Sequence, residues 1–180
     1  VLVSDFTFPA TGNVIVQAGA RPVLVDIRTD TYNLDVADLA RKLTPQTRAI
    51  MPVHALGLAA DMAPIMEFPR RHRLAVIEDA ACALGATYRG QFCGTLGDLG
   101  CFSFHPRKSI TTGEGGMIVT ADEALADRIR LLRSHGGART GASFEFLAAG
   151  FDYRLSDVQA AVGGAGMGGL ARVLGREGER

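Results

Sequence analysis

Four short apolar runs, at residues 1–4 (VLVS), 21–25 (RPVLV), 48–53 (RAIMPV) and 74–77 (LAVI), constrain this chain more than any other feature. Runs of this length, rich in Val, Ile and Leu and without polar alternation, are the pattern of strands buried on both faces. Helical periodicity separates the later ones. Val36, Leu39, Ala40 and Leu43 fall at i, i+3, i+4 and i+7, which gives one apolar helix face. Met62, Ile65 and Met66 repeat the pattern behind Asp61, a candidate N-cap, with Pro69 expected to end that helix near Phe68. Strand, helix, strand repeated three times dictates an α/β fold with a mainly parallel sheet.

The second half changes character. Gly90 between Tyr88 and Gln91 predicts a tight hairpin, and residues 100–104 and 116–120 read as strands. Thr120 with Glu123 three residues on is a capping-box signature for a helix whose core stripe would be Leu125, Ile129 and Leu132. A last helix is expected after Ser156, carrying Val158, Ala161 and Val162. Glycine, 22 of 180 residues, crowds the remainder, so residues 164–180 are expected to form a ragged tail behind a folded unit at 1–163. Gly164, Gly166 and Gly169 fit a GxGxxG string, but they follow a helical pattern instead of a strand, which rejects a dinucleotide fingerprint. No internal repeat and no linker between two domains is visible.

Charge narrows the function classes. Nineteen basic and 19 acidic side chains cancel, without the electrostatic footprint of a nucleic-acid or membrane-surface binder. No apolar run approaches the ~18 residues of a bilayer-spanning helix, and no secretory signal is present, so the expectation is a soluble, cytoplasmic protein with no nucleic-acid or membrane partner. Cys82, Cys93 and Cys101 have no zinc-ligand spacing and read as reduced thiols, so no metal is expected. Of the 19 basic residues only Lys42 and Lys108 are lysines. Lys42, at the end of an amphipathic helix, reads as a solvated charge. Lys108 needs another account.

In an open α/β sheet a ligand sits outside the carboxyl ends of the strands. The residues just past those ends here are Phe6 to Phe8, His54, Glu78 with Asp79, and the segment from Ser103 to Lys108. Asp79 follows LAVI, and Lys108 follows CFSF in the loop HPRKSITTGEGG, so a carboxylate and an amine would face one pocket. A lysine that forms a Schiff base with a carbonyl is a nucleophilic catalyst, and pyridoxal phosphate needs both such a lysine and an acid against its pyridinium nitrogen. Ser103 is a candidate phosphate ligand, and Phe8 is either a ring stacked on the cofactor or a core ring. Glu78 reads as structural. His54, His105 and His135 read either as hydrogen-bonded histidines near strand ends or as residues lining the substrate pocket.

Across nearly its whole length the chain resembles the DegT/StrS family of sugar aminotransferases, which are fold type I pyridoxal-phosphate enzymes. The resemblance runs through DFTFPATGNVI (5–15), GARPVLVDI (19–27), TYNLD (31–35), PVHALG (52–57), VIEDAACALGA (76–86), GDLGCFSFHPRKSITTGEGG (97–116), LRSHG (132–136) and GFDYRLSDVQAAVG (150–163). It implies a three-layer α/β/α large domain that binds the cofactor, with Lys108 as the Schiff-base lysine and proton shuttle, Asp79 as the pyridinium partner, Ser103 as a phosphate ligand and Phe8 as the stacking ring. It also implies a homodimer that moves an amino group from glutamate or glutamine onto a keto sugar nucleotide. A sister branch that dehydrates sugars has His where this chain has Lys108.

Two departures stand out. Cys82 occupies a position beside the cofactor where the family usually has Gln or His, and Asp152 stands where an Asn commonly reaches the neighbouring subunit's phosphate. The chain starts at Val1, inside what reads as a strand. Together with the absence of the family's N-terminal phosphate loop and C-terminal small domain, this reads as a fragment of a longer enzyme. The alternative to a working aminotransferase is a non-catalytic truncated piece of one.

Overall fold

The computed structural model of the chain describes residues 1–177 and, within them, the side chains of all but 173, 176 and 177. The chain runs β1 (Leu2–Ser4), α1 (Pro9–Gln17), β2 (Val23–Val25), α2 (Val36–Lys42), β3 (Ala49–Met51), a 3-10 turn (Ala55–Gly57), α3 (Met62–Ile65), α4 (Glu67–His72) and β4 (Ala75–Asp79). It continues through the hairpin β5 (Thr87–Tyr88) and β6 (Gln91–Phe92), then β7 (Leu99–Ser103), β8 (Gly116–Val119), α5 (Glu123–Leu132), the hairpin β9 (Gly137–Thr140) and β10 (Ser143–Phe146), and α6 (Asp157–Glu177).

Six strands form the central sheet in the order β2-β1-β3-β4-β7-β8. All neighbours are parallel except β7 and β8, which pair antiparallel with Cys101 opposite Ile118. Every apolar run named from the sequence is a strand, and the 88–91 hairpin is present. Side chains alternate across the strands and so build two layers of core. On one face Leu2, Val25, Ile50 and Val76 pack with Leu39, Met62 and Ile65. On the other, Val3 and Met51 pack with Ile15 of α1, and Ile77 joins them. The α/β expectation and its layering by helices on both faces are therefore observed.

Local differences have physical causes. Pro69 does not end a helix near Phe68, because the break falls earlier, at Met66, and Pro69 sits in the first turn of α4, where its missing N–H would have no partner in any case. Asp61 precedes α3 but caps nothing, since its carboxylate accepts the Tyr88 hydroxyl instead. The cap of α5 is Asp122, whose Oδ1 accepts from Leu125 N at 3.1 Å; Thr120 donates its hydroxyl to the Asp98 carbonyl at 2.7 Å. Asp122→Ala is accordingly expected to cost about 1 kcal/mol in urea unfolding, and Thr120→Val to leave α5 capped.

The stripe Leu125, Ile129, Leu132 is not core, for α5 has no buried residue. Val158 and Val162 are exposed as well. Periodicity identifies an apolar face without saying what covers it. Lys42 is half-buried, and its Nζ lies 2.7 Å from Asp38 Oδ2, an ion pair that, with the amide of Asp26, holds the Asp38 carboxyl down to about 2.

The ragged tail expected at 164–180 is corrected for its described part, because α6 continues helical to Glu177; residues 178–180 lie outside the described residues. Two of its glycines explain how the helix sits. A Cβ on Gly163 would come 2.9 Å from Thr112 Cγ2, and one on Gly166 2.9 Å from Ile110 Cγ2. Small residues let α6 lie directly on the 110–112 loop, which is the loop that follows Lys108. The GxGxxG glycines are inside this helix.

Candidate active site

The carboxyl ends of β1, β4 and β7 open into one cleft of about 520 Å³, lined by Phe8, Thr11, Asp79, Ser103 and Lys108 among others. Four candidate residues chosen from the sequence, Phe8, Asp79, Ser103 and Lys108, thus meet at one place. Cys82 is on its flank, in a smaller pocket of about 100 Å³ shared with Ser103 and Lys108.

Alternation along β4 decides the roles of its two adjacent carboxylates. Val76 and Glu78 point to the face covered by α2 and α3, while Ile77 and Asp79 point to the face covered by α1. Glu78 is wholly buried. Its Oε2 accepts from His54 Nε2 and Gly94 N, both at 2.8 Å, and its Oε1 accepts from Leu96 N at 2.7 Å and Gly97 N at 2.6 Å. Burial pushes this carboxyl up, but the His54 ring and the three backbone amides outweigh it and hold the group below the usual range. His54 Nδ1 accepts from Ala60 N at 3.0 Å, which puts the ring proton on Nε2. Glu78 and His54 are therefore a structural pair; the sequence suggests a structural Glu78 and a hydrogen-bonded His54 but not that they bond each other.

Asp79 is half-buried and lines the cleft, and each of its oxygens accepts one hydrogen bond. Oδ2 accepts the Thr11 hydroxyl at 2.7 Å, and Oδ1 accepts Ala81 N at 3.1 Å. These bonds fix the rotamer. Thr11 is buried in α1 and its hydroxyl also lies 2.8 Å from that of Thr7. Sequence reasoning missed both α1 and Thr11. The available signal was Pro9, a residue favoured at the first helical position, two residues before Thr11.

Phe8 occupies the N-cap position of α1 and is 71% exposed, which removes the core-ring reading and leaves an aromatic face on the cleft. Ser103 ends β7, where its Oγ accepts His105 N at 3.3 Å. Lys108 is held in the next turn by its own N–H on the His105 carbonyl at 2.9 Å. Its Nζ reaches across to Cys82 Sγ at 3.0 Å. Behind it, Gly113 takes φ +81°, and a Cβ on Gly116 would sit 2.8 Å from the Phe102 carbonyl, so the glycines of TTGEGG are what this return path demands.

Of the remaining histidines, His105 lines the cleft and His135 lies outside it. His105 Nε2 stands 3.9 Å from Glu114, and His135 Nε2 stands 3.4 Å from Asp152. Asp152 is engaged by Arg154 through both oxygens, at 2.7 and 3.0 Å, and this fork together with His135 holds its carboxyl down to about 2. Its charge is compensated within the chain. Among the described residues no helix is long and apolar enough to cross a membrane.

Chemically, the cleft presents a primary amine, a fixed carboxylate, a strand-end hydroxyl and an aromatic face around one volume. An amine so placed can add to a carbonyl, and a carboxylate so fixed can hold a proton on a basic nitrogen opposite it. Known proteins of similar sequence and fold are sugar aminotransferases by name. GDP-perosamine synthase of Caulobacter vibrioides is 52% identical over 163 residues, covering 91% of this chain and 44% of that protein. UDP-N-acetyl-3-dehydro-alpha-D-glucosamine 3-aminotransferase of Acidithiobacillus ferrooxidans is 44% identical over 163 residues, covering 90% and 43%. The chain thus spans less than half the length of the relatives it matches.

Among solved structures, Helicobacter pylori PseC, an aminotransferase involved in the biosynthesis of pseudoaminic acid, superimposes with a TM-score of 0.90 at 30% identity, covering 94% of this chain and 46% of that one. The PLP form of Spr1654 from Streptococcus pneumoniae gives 0.88 at 28%, covering 95% and 49%. The family model described as DegT/DnrJ/EryC1/StrS aminotransferase matches residues 1–179. With the family model matched over residues 1–179 and relatives this similar in sequence and fold, the chain belongs to the DegT/DnrJ/EryC1/StrS aminotransferase family.

Proposed function

We propose that the chain is the cofactor-binding part of a pyridoxal-phosphate aminotransferase that moves an amino group from glutamate or glutamine onto the keto group of a nucleotide-linked sugar, working as a homodimer. The observation that carries the reading is the convergence of Lys108, Asp79, Ser103 and Phe8 on one cleft. The donor set fits the group. Lys108 would hold its aldehyde carbon, Asp79 its ring nitrogen, Ser103 its phosphate and Phe8 one face of its ring. Bound there, pyridoxal phosphate supplies an electron sink for a carbanion at the substrate carbon.

The chain's own residues do the rest. The Lys108 amine, once free, is the base that takes the proton from the substrate carbon and the acid that returns it, a role suited to a flexible stem rooted in a glycine-lined loop. Thr11 Oγ1 and Ala81 N each donate to one oxygen of Asp79 and so fix the direction of the carboxylate that would meet the ring nitrogen. Substrate class is inferred from the relatives, whose names specify GDP- and UDP-linked sugars.

Two measurements test the reading on the full-length protein. Added pyridoxal phosphate is expected to give a visible absorption band that survives gel filtration and becomes permanent on borohydride reduction, and GDP-, UDP- or TDP-linked keto sugars with glutamate are expected to yield amino sugars by mass spectrometry. Asp79→Asn is expected to lower turnover by about 10²–10³-fold while the protein still binds cofactor. No retained band, with the protein folded by circular dichroism, would leave the non-catalytic piece as the better account.

A further inference from the structure

Cys82 and Lys108 come from different elements, the turn after β4 and the loop after β7, and meet with Nζ 3.0 Å from Sγ. Both ends are anchored. The Cys82 turn is held by Ala81 N on Asp79 and by Ala83 N on the Ala80 carbonyl at 2.9 Å, and Lys108 N is held on the His105 carbonyl. Cys82 is exposed, and the two side chains line the same pocket of about 100 Å³, which is open to solvent and roomy enough for a small polar reagent.

We propose that Cys82 and Lys108 form a covalent modification site, in which a hydroperoxide oxidises the Cys82 thiol and the Lys108 amine then closes on the sulfur to give an S–N cross-link. In the first step the sulfur loses two electrons to the peroxide O–O bond, which breaks; one peroxide oxygen stays on sulfur as a sulfenic acid and the other leaves as water. In the second the Nζ lone pair attacks sulfur, the S–O bond breaks, and the departing hydroxide leaves with one N–H proton as a second water. Thiol, amine and hydrogen peroxide together give the S–N bond and two waters. A dithiol such as dithiothreitol reverses it, restoring thiol and amine as the dithiol is oxidised to its disulfide.

The other thiols are poor competitors. Burial, with Glu78 near one and Asp79 near the other, pushes Cys93 and Cys101 each up to about 11, and it is the thiolate that attacks peroxide. Neither has a lysine beside it, since Lys42 is paired with Asp38 on α2. The cross-link itself needs neither cofactor nor substrate. Its consequence, that an amine tied to sulfur cannot receive pyridoxal phosphate and that bound pyridoxal phosphate protects the amine, rests on the function proposed above.

Mass spectrometry of the full-length protein decides the matter. After one equivalent of hydrogen peroxide, quenched with catalase, the expected result is an intact mass lower by two hydrogens, restored by dithiothreitol. Trypsin should then release peptide 74–89 joined to a peptide starting at residue 108 and uncut after it. Cys82→Ser and Lys108→Arg, both confirmed as folded by circular dichroism, should each lose the joined pair. Oxygen atoms added at Cys82 with peptide 74–89 free, or a joined pair that persists in Cys82→Ser, would overturn the proposal. Equal cross-linking with and without prior pyridoxal phosphate would count against the cofactor reading while supporting the cross-link.

Discussion

Lys108→Ala is expected to abolish the borohydride-trappable band completely and to reduce aminotransfer by at least about 10⁴-fold. The size follows from counting what one side chain does. General acid–base catalysis alone contributes about 10²–10⁴-fold, and the same amine is also the nucleophile that holds the aldehyde. The surroundings of Lys108 argue that the loss is chemical. Its side chain is half-buried and, among the described residues, its one polar contact is Cys82 Sγ, while its loop is fixed by backbone bonds, Lys108 N on the His105 carbonyl and Thr112 N on the Phe104 carbonyl at 3.0 Å, that alanine retains. The variant should therefore melt within a few degrees of the wild type. Lys108→Arg separates charge from nucleophile, since a guanidinium keeps the cation and cannot form the Schiff base. Both variants should fail equally in trapping. A trapped band that persists in Lys108→Ala, mapped by peptide mass to another residue, would remove Lys108 from its proposed role.

How far the sequence discloses this site depends on which physical signal each residue carries. The sheet was legible because Val1 to Ser4, RPVLV, RAIMPV and LAVI are dense apolar runs, and a strand buried on both faces leaves that trace without reference to its neighbours. Asp79, Ser103 and Lys108 were legible because strand ends in an open sheet define the cleft. α1 was not. Its residues, PATGNVIVQ, contain Gly, Thr and three β-branched side chains in a nine-residue helix, a composition of poor helix propensity that tertiary packing of Ile15 on Val3 and Met51 overrides. The same limit hid Thr11, whose contact with Asp79 spans 68 positions. At α5 the error runs the other way: a clear apolar stripe exists and no described residue buries it. The helix at 164–177 failed for a third reason, because glycine lowers helix propensity locally while permitting the close contacts with Ile110 and Thr112 that hold α6 in place.

Glu78→Gln is expected to be among the most destabilising single substitutions available, at about 3 kcal/mol or more, although it changes one atom. The carboxylate receives four donors, two on each oxygen: His54 Nε2 and Gly94 N on Oε2, Leu96 N and Gly97 N on Oε1. An amide in the same place offers one oxygen and one NH2. Whichever way it is flipped, the NH2 faces two donors in a wholly buried site, and those donors lose their acceptor. His54 cannot relieve the clash by changing tautomer, since its Nδ1 is already committed to Ala60 N.

For a domain of this size the loss corresponds to roughly 6–12 °C in Tm. The pH dependence gives an independent check. Burial raises the Glu78 carboxyl and the four donors lower it further than that, so its folded value is depressed. A depressed carboxyl contributes stability that is fully present above the unfolded value, about 4.3, and lost as pH falls through the folded value. The gap in Tm between wild type and Glu78→Gln should therefore be constant from about pH 6 to 8 and narrow on acidification below the unfolded value. A gap of only a degree or two at neutral pH, or one that widens in acid, would show that the loop at 94–97 is held by something other than this carboxylate.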